Sequence, residues 1–200
     1  MKSKRKGFTL VELIVVLAII GILSAIIIPS WGYFMRRSRE RTANSKAKIV
    51  FNAAQTEITR IYQRERPTLN RSDSTNFFRP DSAEANTAKT QLYVNNGNFY
   101  FYWDGHKGHQ MDTATGKNIT DTKPTENTKF ANAVNNICGT EGTYKIYVKN
   151  YAVQSVVYSS KPGSSYKGTY PRAMGSDQIA DESEIRNKSI EKIDMTKIAH

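Results

Sequence analysis

Glu12 stands in a stretch that is otherwise apolar from Phe8 to Ile28, and its type asks for a chemical reason. A carboxylate inside a membrane helix costs about 3 kcal/mol at the centre and less near an end. Two roles are open. Glu12, one turn from the end of the span, reaches the headgroups, or it is a functional group of the helix. A second constellation is Asp104-Gly105-His106-Lys107-Gly108-His109-Gln110-Met111-Asp112, which offers His-x-x-His among carboxylates, the ligand types of a zinc site. It reads as a Gly-rich loop without a helical scaffold, so no metal site is expected. Gly116-Lys117 lacks both the upstream glycine and the following Ser or Thr of a phosphate-binding loop. No nucleophile, base and acid form a catalytic set, so neither enzyme activity nor a cofactor is expected.

A third constellation is aromatic. Phe99, Tyr100, Phe101, Tyr102 and Trp103 are consecutive, and strand alternation sends Phe99, Phe101 and Trp103 to one face and Tyr100 and Tyr102 to the other. The first face is core. The second is an exposed tyrosine pair, joined by Tyr147 across the sheet, and such flat rings stack on sugars or bases. Sheet packing or burial against a neighbouring subunit explains the same pattern. Polysaccharide and nucleic acid are therefore ligands that the residues permit without specifically supporting.

The elements that position these residues follow from periodicity. Phe8 to Ile28 is long enough, at about 1.5 Å per residue, to cross a hydrocarbon core of roughly 30 Å. After Pro29 the helical pattern resumes. Ala43, Ala47, Val50, Phe51, Ala54, Ile58, Ile61 and Tyr62 make one apolar stripe that seeks a sheet, and Pro67 biases Arg66 out of helical geometry. The basic segment from Arg36 to Lys48 reads as a solvated face or a contact with phospholipid headgroups rather than a nucleic-acid site.

Residues 68–89 read as a polar surface loop, with a short helical turn around Ala83 to Ala88. Strands are expected at Gln91–Asn95 and Asn98–Asp104 about an Asn96-Gly97 hairpin turn, and at Thr143–Lys149 and Tyr151–Ser159, which meet at Asn150. Thr128–Cys138 has helical spacing and ends at Gly139. Lys161 to Ser165 reads as a turn, and Tyr170-Pro171 as an extended piece. The last stretch, 177–200, carries irregularly spaced isoleucines and reads as a marginal helix or a flexible tail. The expected fold is α+β, a long helix on a roughly four-stranded antiparallel sheet. About 130 residues after the helix suffice for one domain.

Composition narrows the setting more than the task. The chain has 29 Lys+Arg against 18 Asp+Glu, and without Lys2, Lys4, Arg5 and Lys6 the remainder still holds 25 against 18. A basic surface suits anionic polymers, nucleic acid or simple solubility. Cys138 is the single cysteine, so no disulfide forms within the chain.

The basic stub ahead of Gly7 is too short and polar to hold the apolar core of an ordinary secretory signal, so the apolar part lies behind any cut. Lys6-Gly7-Phe8-Thr9-Leu10-Val11-Glu12-Leu13, followed by Ala18-Ile19-Ile20-Gly21-Ile22-Leu23, resembles the processing site and membrane helix of the type IV pilin and pseudopilin family. The resemblance is specific over roughly the first 30 residues and architectural beyond them. It implies a leader of residues 1–7 removed between Gly7 and Phe8, N-methylation of Phe8, a polymerisation helix at 8–28, an amphipathic continuation at 29–66 and an extracellular α+β head at 67–200. It implies that Glu12 pairs with the Phe8 amine of a neighbouring subunit, and that Gly21 and Pro29 weaken the helix so that it can extend on assembly.

Implied partners are other copies of the chain, the prepilin peptidase, the pilus or type II secretion assembly machinery and the cytoplasmic membrane. The leader then lies in the cytoplasm, although Arg36, Arg37, Arg39 and Arg41 rival its charges under the positive-inside count. The implied function is a structural subunit of a pilus or pilus-like filament at the cell surface. A pseudopilin of a type II secretion or competence system and a minor adhesive or DNA-binding pilin are alternatives, and a solitary membrane-anchored domain is a third. The lone cysteine departs from the many Gram-negative pilins whose C-terminal loop is closed by a disulfide.

Overall fold

The computed structural model describes residues 9–69, 97–111 and 128–199. The chain divides after Ser38 into two compact units, and helix α1, Leu10–Leu69, contributes residues to both. In the first unit α1 is, apart from Glu12, apolar on every side from Leu10 to Ile28, the pattern of a helix surrounded by lipid or protein rather than water. The helix runs through Pro29 and ends two residues beyond Pro67. The loop and helical turn expected at 68–89 lie outside the described residues apart from Thr68 and Leu69, which are helical.

The second unit is built on an antiparallel sheet of five strands in the order β2-β1-β3-β4-β5, with β1 at Phe99–Trp103, β2 at Gly108–Met111, β3 at Thr143–Lys149, β4 at Ala152–Ser159 and β5 at Lys167–Tyr170. Two of these differ from expectation. The stretch read as a Gly-rich loop contains β2, which pairs with β1 in the register Trp103↔Gly108 to Tyr100↔Met111. On its other edge β1 pairs with β3, and residues 104–107 join it to β2. The strand expected at Gln91–Asn95, with Asn96 of its hairpin turn, lies outside the described residues. The tight two-residue hairpin joins β3 to β4, where Asn150 and Tyr151 both have positive φ, 52° and 60°, as a type I′ turn requires. Gly97 packs beneath this turn, where a Cβ would fall 2.5 Å from the Tyr151 ring.

One face of the sheet carries the main core. Phe99, Phe101 and Trp103 of β1, Tyr144, Ile146 and Val148 of β3, and Val153, Val156 and Tyr158 of β4 share it with Ala43, Ala47, Val50, Ala54 and Ile58 of α1. Val153 and Val156 reach the same face despite odd spacing. A bulge separates them, since Tyr147 opposes Ser155 and Val148 opposes Val153. Helix α2, Thr128–Cys138, closes the end of this core with Phe130, whose ring meets Phe101 edge-on at 4.8 Å. It stops at Gly139, whose N–H bonds the Asn135 carbonyl at 2.8 Å. The alanines of α1 let its backbone approach the sheet closely. At Gly168 of β5 an added Cβ would lie 1.9 Å from the Ala43 carbonyl carbon, so this position holds no side chain.

The opposite face has a core of its own, made by the C-terminal segment. Met174, Ile179, Ile185, Ile190, Ile193, Met195 and Ile198 are buried with Val157, and Tyr100, Tyr102 and Tyr147 pack against them. Of the two readings of 177–200, the flexible tail gives way. The segment forms helix α3, Glu182–Asn187, and two 3-10 turns, Ile190–Lys192 and Met195–Lys197. The irregular isoleucine spacing follows from these short turns, none long enough for a 3.6-residue stripe. The sheet grips the segment through polar side chains. The Lys145 ammonium donates to the carbonyls of Glu191, at 2.6 Å, and Ile193, at 3.0 Å. Lys167 donates to Ser164 and Arg186, and the Ser155 hydroxyl to Met195. Ammonium groups at the C-terminal ends of short helices satisfy carbonyls that the helices leave open.

Candidate functional site

The N-terminal unit begins with a cap. Thr9 precedes the first helical residue, and its hydroxyl oxygen accepts the Glu12 N–H at 3.3 Å while the Glu12 carboxylate accepts the Thr9 N–H at 2.9 Å and the Thr9 hydroxyl at 2.7 Å. This is a reciprocal capping box, which satisfies N–H groups that a helix start leaves open. The Glu12 carboxylate therefore has a hydrogen-bonding partner beside its own helix. Its partner is Thr9, and Thr-x-x-Glu ahead of an apolar run is the signal that reveals it. Such bonds leave the charge itself without a counter-ion.

Behind the cap, the 19 residues Leu10–Ile28 are long and apolar enough to cross a membrane, and none is buried. Gly21 lies within this helix with open space where a side chain would be. Pro29 sits in the helix interior with no N–H to give, a point of weakness in the ladder. Gly7 and Phe8 lie outside the described residues.

Residues 2–28 match the family model of the prokaryotic N-terminal methylation motif. The N-terminal segment carries a prepilin-type methylation motif. Among relatives of the prepilin segment, the type IV major pilin protein PilA of Myxococcus xanthus is 46% identical over 50 residues, 25% of this chain and 23% of that protein. A type IV major fimbrial protein FimA of Dichelobacter nodosus is 46% identical over 56 residues, 28% of this chain and 36% of that protein. Another FimA of that organism reaches 56% over 39 residues, 20% of this chain and 24% of that protein. The chain therefore spans a quarter to a third of the length of these relatives. No solved structure matches it. The long helix with its antiparallel sheet is the α+β arrangement expected of a pilin.

The remaining candidates lie in the head. Tyr100 and Tyr147 stand opposite each other across β1 and β3 with rings stacked at 4.5 Å, and Tyr102 stacks on His109 at 6.0 Å. They are not an exposed platform. The C-terminal segment packs on all three tyrosines, and burial pushes the Tyr100 and Tyr102 hydroxyls above their ordinary range, with Tyr147 adding to the effect at Tyr100. At the β1–β2 turn, Asp104 accepts the N–H groups of His106 and Lys107 and holds His109 Nε2 at 2.9 Å. Partial burial pushes this carboxyl up, but its bonds with Lys107, His109 and His106 outweigh that and hold it below the ordinary range. The arrangement organises a turn. Among the described residues, no cluster of three or more His, Cys, Asp or Glu could hold a metal.

Proposed function

We propose that this chain is a structural subunit of a type IV pilus or pilus-like filament, cleaved after Gly7, methylated at Phe8 and polymerised through its apolar N-terminal helix. One observation carries the reading. A match to the methylation motif over residues 2–28 coincides with a 19-residue apolar helix, none of whose residues is buried within the described chain. Lipid covers such a helix before assembly, and other copies of it cover it in a filament.

The Glu12 carboxylate, held by Thr9 at the start of this helix, is the group that the Phe8 amine of a neighbouring subunit would pair with. Opposite charges attract strongly in an apolar filament core, and an unpaired one is costly, so the pair sets subunit register. Gly21 and Pro29 loosen the helix between them. The prepilin peptidase, an assembly machinery and the cytoplasmic membrane are the partners this role requires. The leader stays in the cytoplasm and the head ends on the cell surface. The matched relatives, named as major pilin and fimbrial proteins, favour a pilus over a secretion pseudopilus. Adhesion through Tyr100, Tyr102 and Tyr147 loses support because the C-terminal segment covers them.

Shearing fibres from cells that express the chain tests this reading. The chain should be recovered in the fibres, and a Gly7→Trp variant should keep its leader and be absent from them. Fibres without the chain, while the wild-type protein stays in the membrane, would contradict it.

A further inference from the structure

We propose that the helical turns just past the membrane span, Trp31 to Arg37, form a binding surface for anionic phospholipid headgroups, holding the unassembled subunit at the outer face of the membrane. The proposal rests on the reading of Leu10–Ile28 as a membrane span.

Three large aromatic side chains follow that span, and all are exposed. Trp31 is 60% exposed, Tyr33 63% and Phe34 63%. Along the helix they stand about 4–9 Å beyond Ile28. The polar zone on each side of a bilayer is about 5–8 Å deep, so they fall at headgroup level, where Trp and Tyr are favoured because one end of each ring system is apolar and the other wet. Trp31 and Phe34 are 6.4 Å apart, one turn from each other, and form a continuous aromatic ledge.

Charge selects the headgroup. Arg36 and Arg37 come next, and no acidic residue occurs between Glu12 and Glu40. The Arg36 guanidinium lies 5.9 Å from the centre of the Tyr33 ring, so cation and aromatic act at one place. In an α-helix side chains lean toward the N-terminus, which here is the bilayer. Arg36 and Arg37, about 12–14 Å past Ile28, therefore reach back to the phosphate layer. A guanidinium binds a phosphate through paired N–H groups, and a net negative lipid adds long-range attraction that a zwitterionic one lacks. Arginines on the translocated side oppose the positive-inside bias, and an anionic headgroup supplies the compensating charge.

The full chain reconstituted in phosphatidylcholine vesicles, with trace spin-labelled phosphatidylglycerol or spin-labelled phosphatidylcholine, provides the test. The immobilised fraction of each label reads lipid preference. Phosphatidylglycerol should be favoured by about fivefold for each engaged arginine at low salt, and the preference should shrink as salt rises. Arg36→Gln with Arg37→Gln should abolish it while the chain still resists alkaline carbonate extraction. An inserted wild-type chain with no preference would overturn the proposal, as would a preference that the double variant keeps. Energy transfer between labelled copies that the double variant loses, without any lipid preference in the wild type, would assign the surface to a second copy and overturn it too. Extraction of the wild-type chain by carbonate would instead refute the membrane span, and the proposal with it.

Discussion

Arg186 on the short C-terminal helix places its Nε 2.8 Å from Oε1 of Glu40 on the long helix, 146 positions away in sequence. Glu40 is 3% exposed, and the same guanidinium holds Glu182 at 2.6 Å. The pair ties the C-terminal segment to α1 within the head. Asn44, one turn on, reinforces the tie by accepting the N–H groups of Thr169 and Met174 and donating to the Met174 carbonyl.

Removing one member of this pair strands a buried charge. Arg186→Ala should destabilise the head by about 3 kcal/mol, at the low end for buried pairs because Arg186 is partly exposed. Glu40→Met combined with Arg186→Met should cost less, because the most deeply buried charge, Glu40, is removed with its partner and only the more exposed Glu182 loses the guanidinium. Urea unfolding of the two variants in detergent, followed by tryptophan fluorescence, checks this; equal losses would argue that the pair matters only through packing.

Gly168 is fixed by the approach of the helix backbone. Gly168→Ala places a methyl against the Ala43 carbonyl and should cost about 3 kcal/mol, because backbone atoms cannot swing aside. Gly32→Ala, with open space around it in the same long helix, should not destabilise the head. Thermal melts of both variants separate the two effects. A Gly168→Ala protein as stable as wild type would mean that α1 and β5 sit farther apart.

Lys145 gives the head a distinctive alkaline response. Burial pushes its ammonium down from 10.5 to about 8, against the pull of Glu191 and Asp194. Between those values the unfolded chain carries the proton and the native chain does not, so this group's contribution to stability rises with pH and is lost as pH falls through about 8. The stability difference between wild type and Lys145→Met should therefore shift in favour of wild type by about 1 kcal/mol per pH unit in that window. Denaturation series across it measure the slope, and a flat difference would show that Lys145 keeps its proton through bonds with the Glu191 and Ile193 carbonyls.

The proposed function gives Glu12 two separable roles. Glu12→Gln keeps the capping partners of Thr9 but removes the charge, so it should insert normally and fail to assemble as sole subunit. Thr9→Val removes the hydroxyl of the cap at about 1 kcal/mol and leaves the charge, so filaments should persist at reduced yield. Counting fibres from each variant decides. Normal filaments from Glu12→Gln would reduce the carboxylate to a helix cap.

Where side-chain pattern alone determined placement, the residues were readable. Alternation along Phe99 to Trp103 separates the two faces of β1, and α2 occupies Thr128–Cys138 as its spacing indicates. The hidden parts used residues that hydrophobic patterns overlook. β5 turns a glycine to the main core and lysine and threonine to the other face, so it carries no apolar alternation. Lys145 and Lys167 are cations that no apolar pattern marks as core, and they are buried because carbonyls of the C-terminal segment receive them. Without that segment in place, Tyr100, Tyr102 and Tyr147 looked exposed. Their coverage changes one expectation: Trp103→Ala should cost about 3–5 kcal/mol, and Tyr100→Ala with Tyr102→Ala should also cost a sizeable fraction of that rather than almost nothing. At the N-terminus, sequence showed the apolar span and the lone carboxylate, and geometry added the Thr9 cap.

The central claim, a filament subunit made by cutting before the apolar helix, is tested most directly by intact-mass analysis of the chain recovered from sheared fibres. The mature protein should begin at Phe8 and carry one added methyl group on its amine. A fibre subunit that retains residues 1–7, or that begins at any residue other than Phe8, would contradict the account.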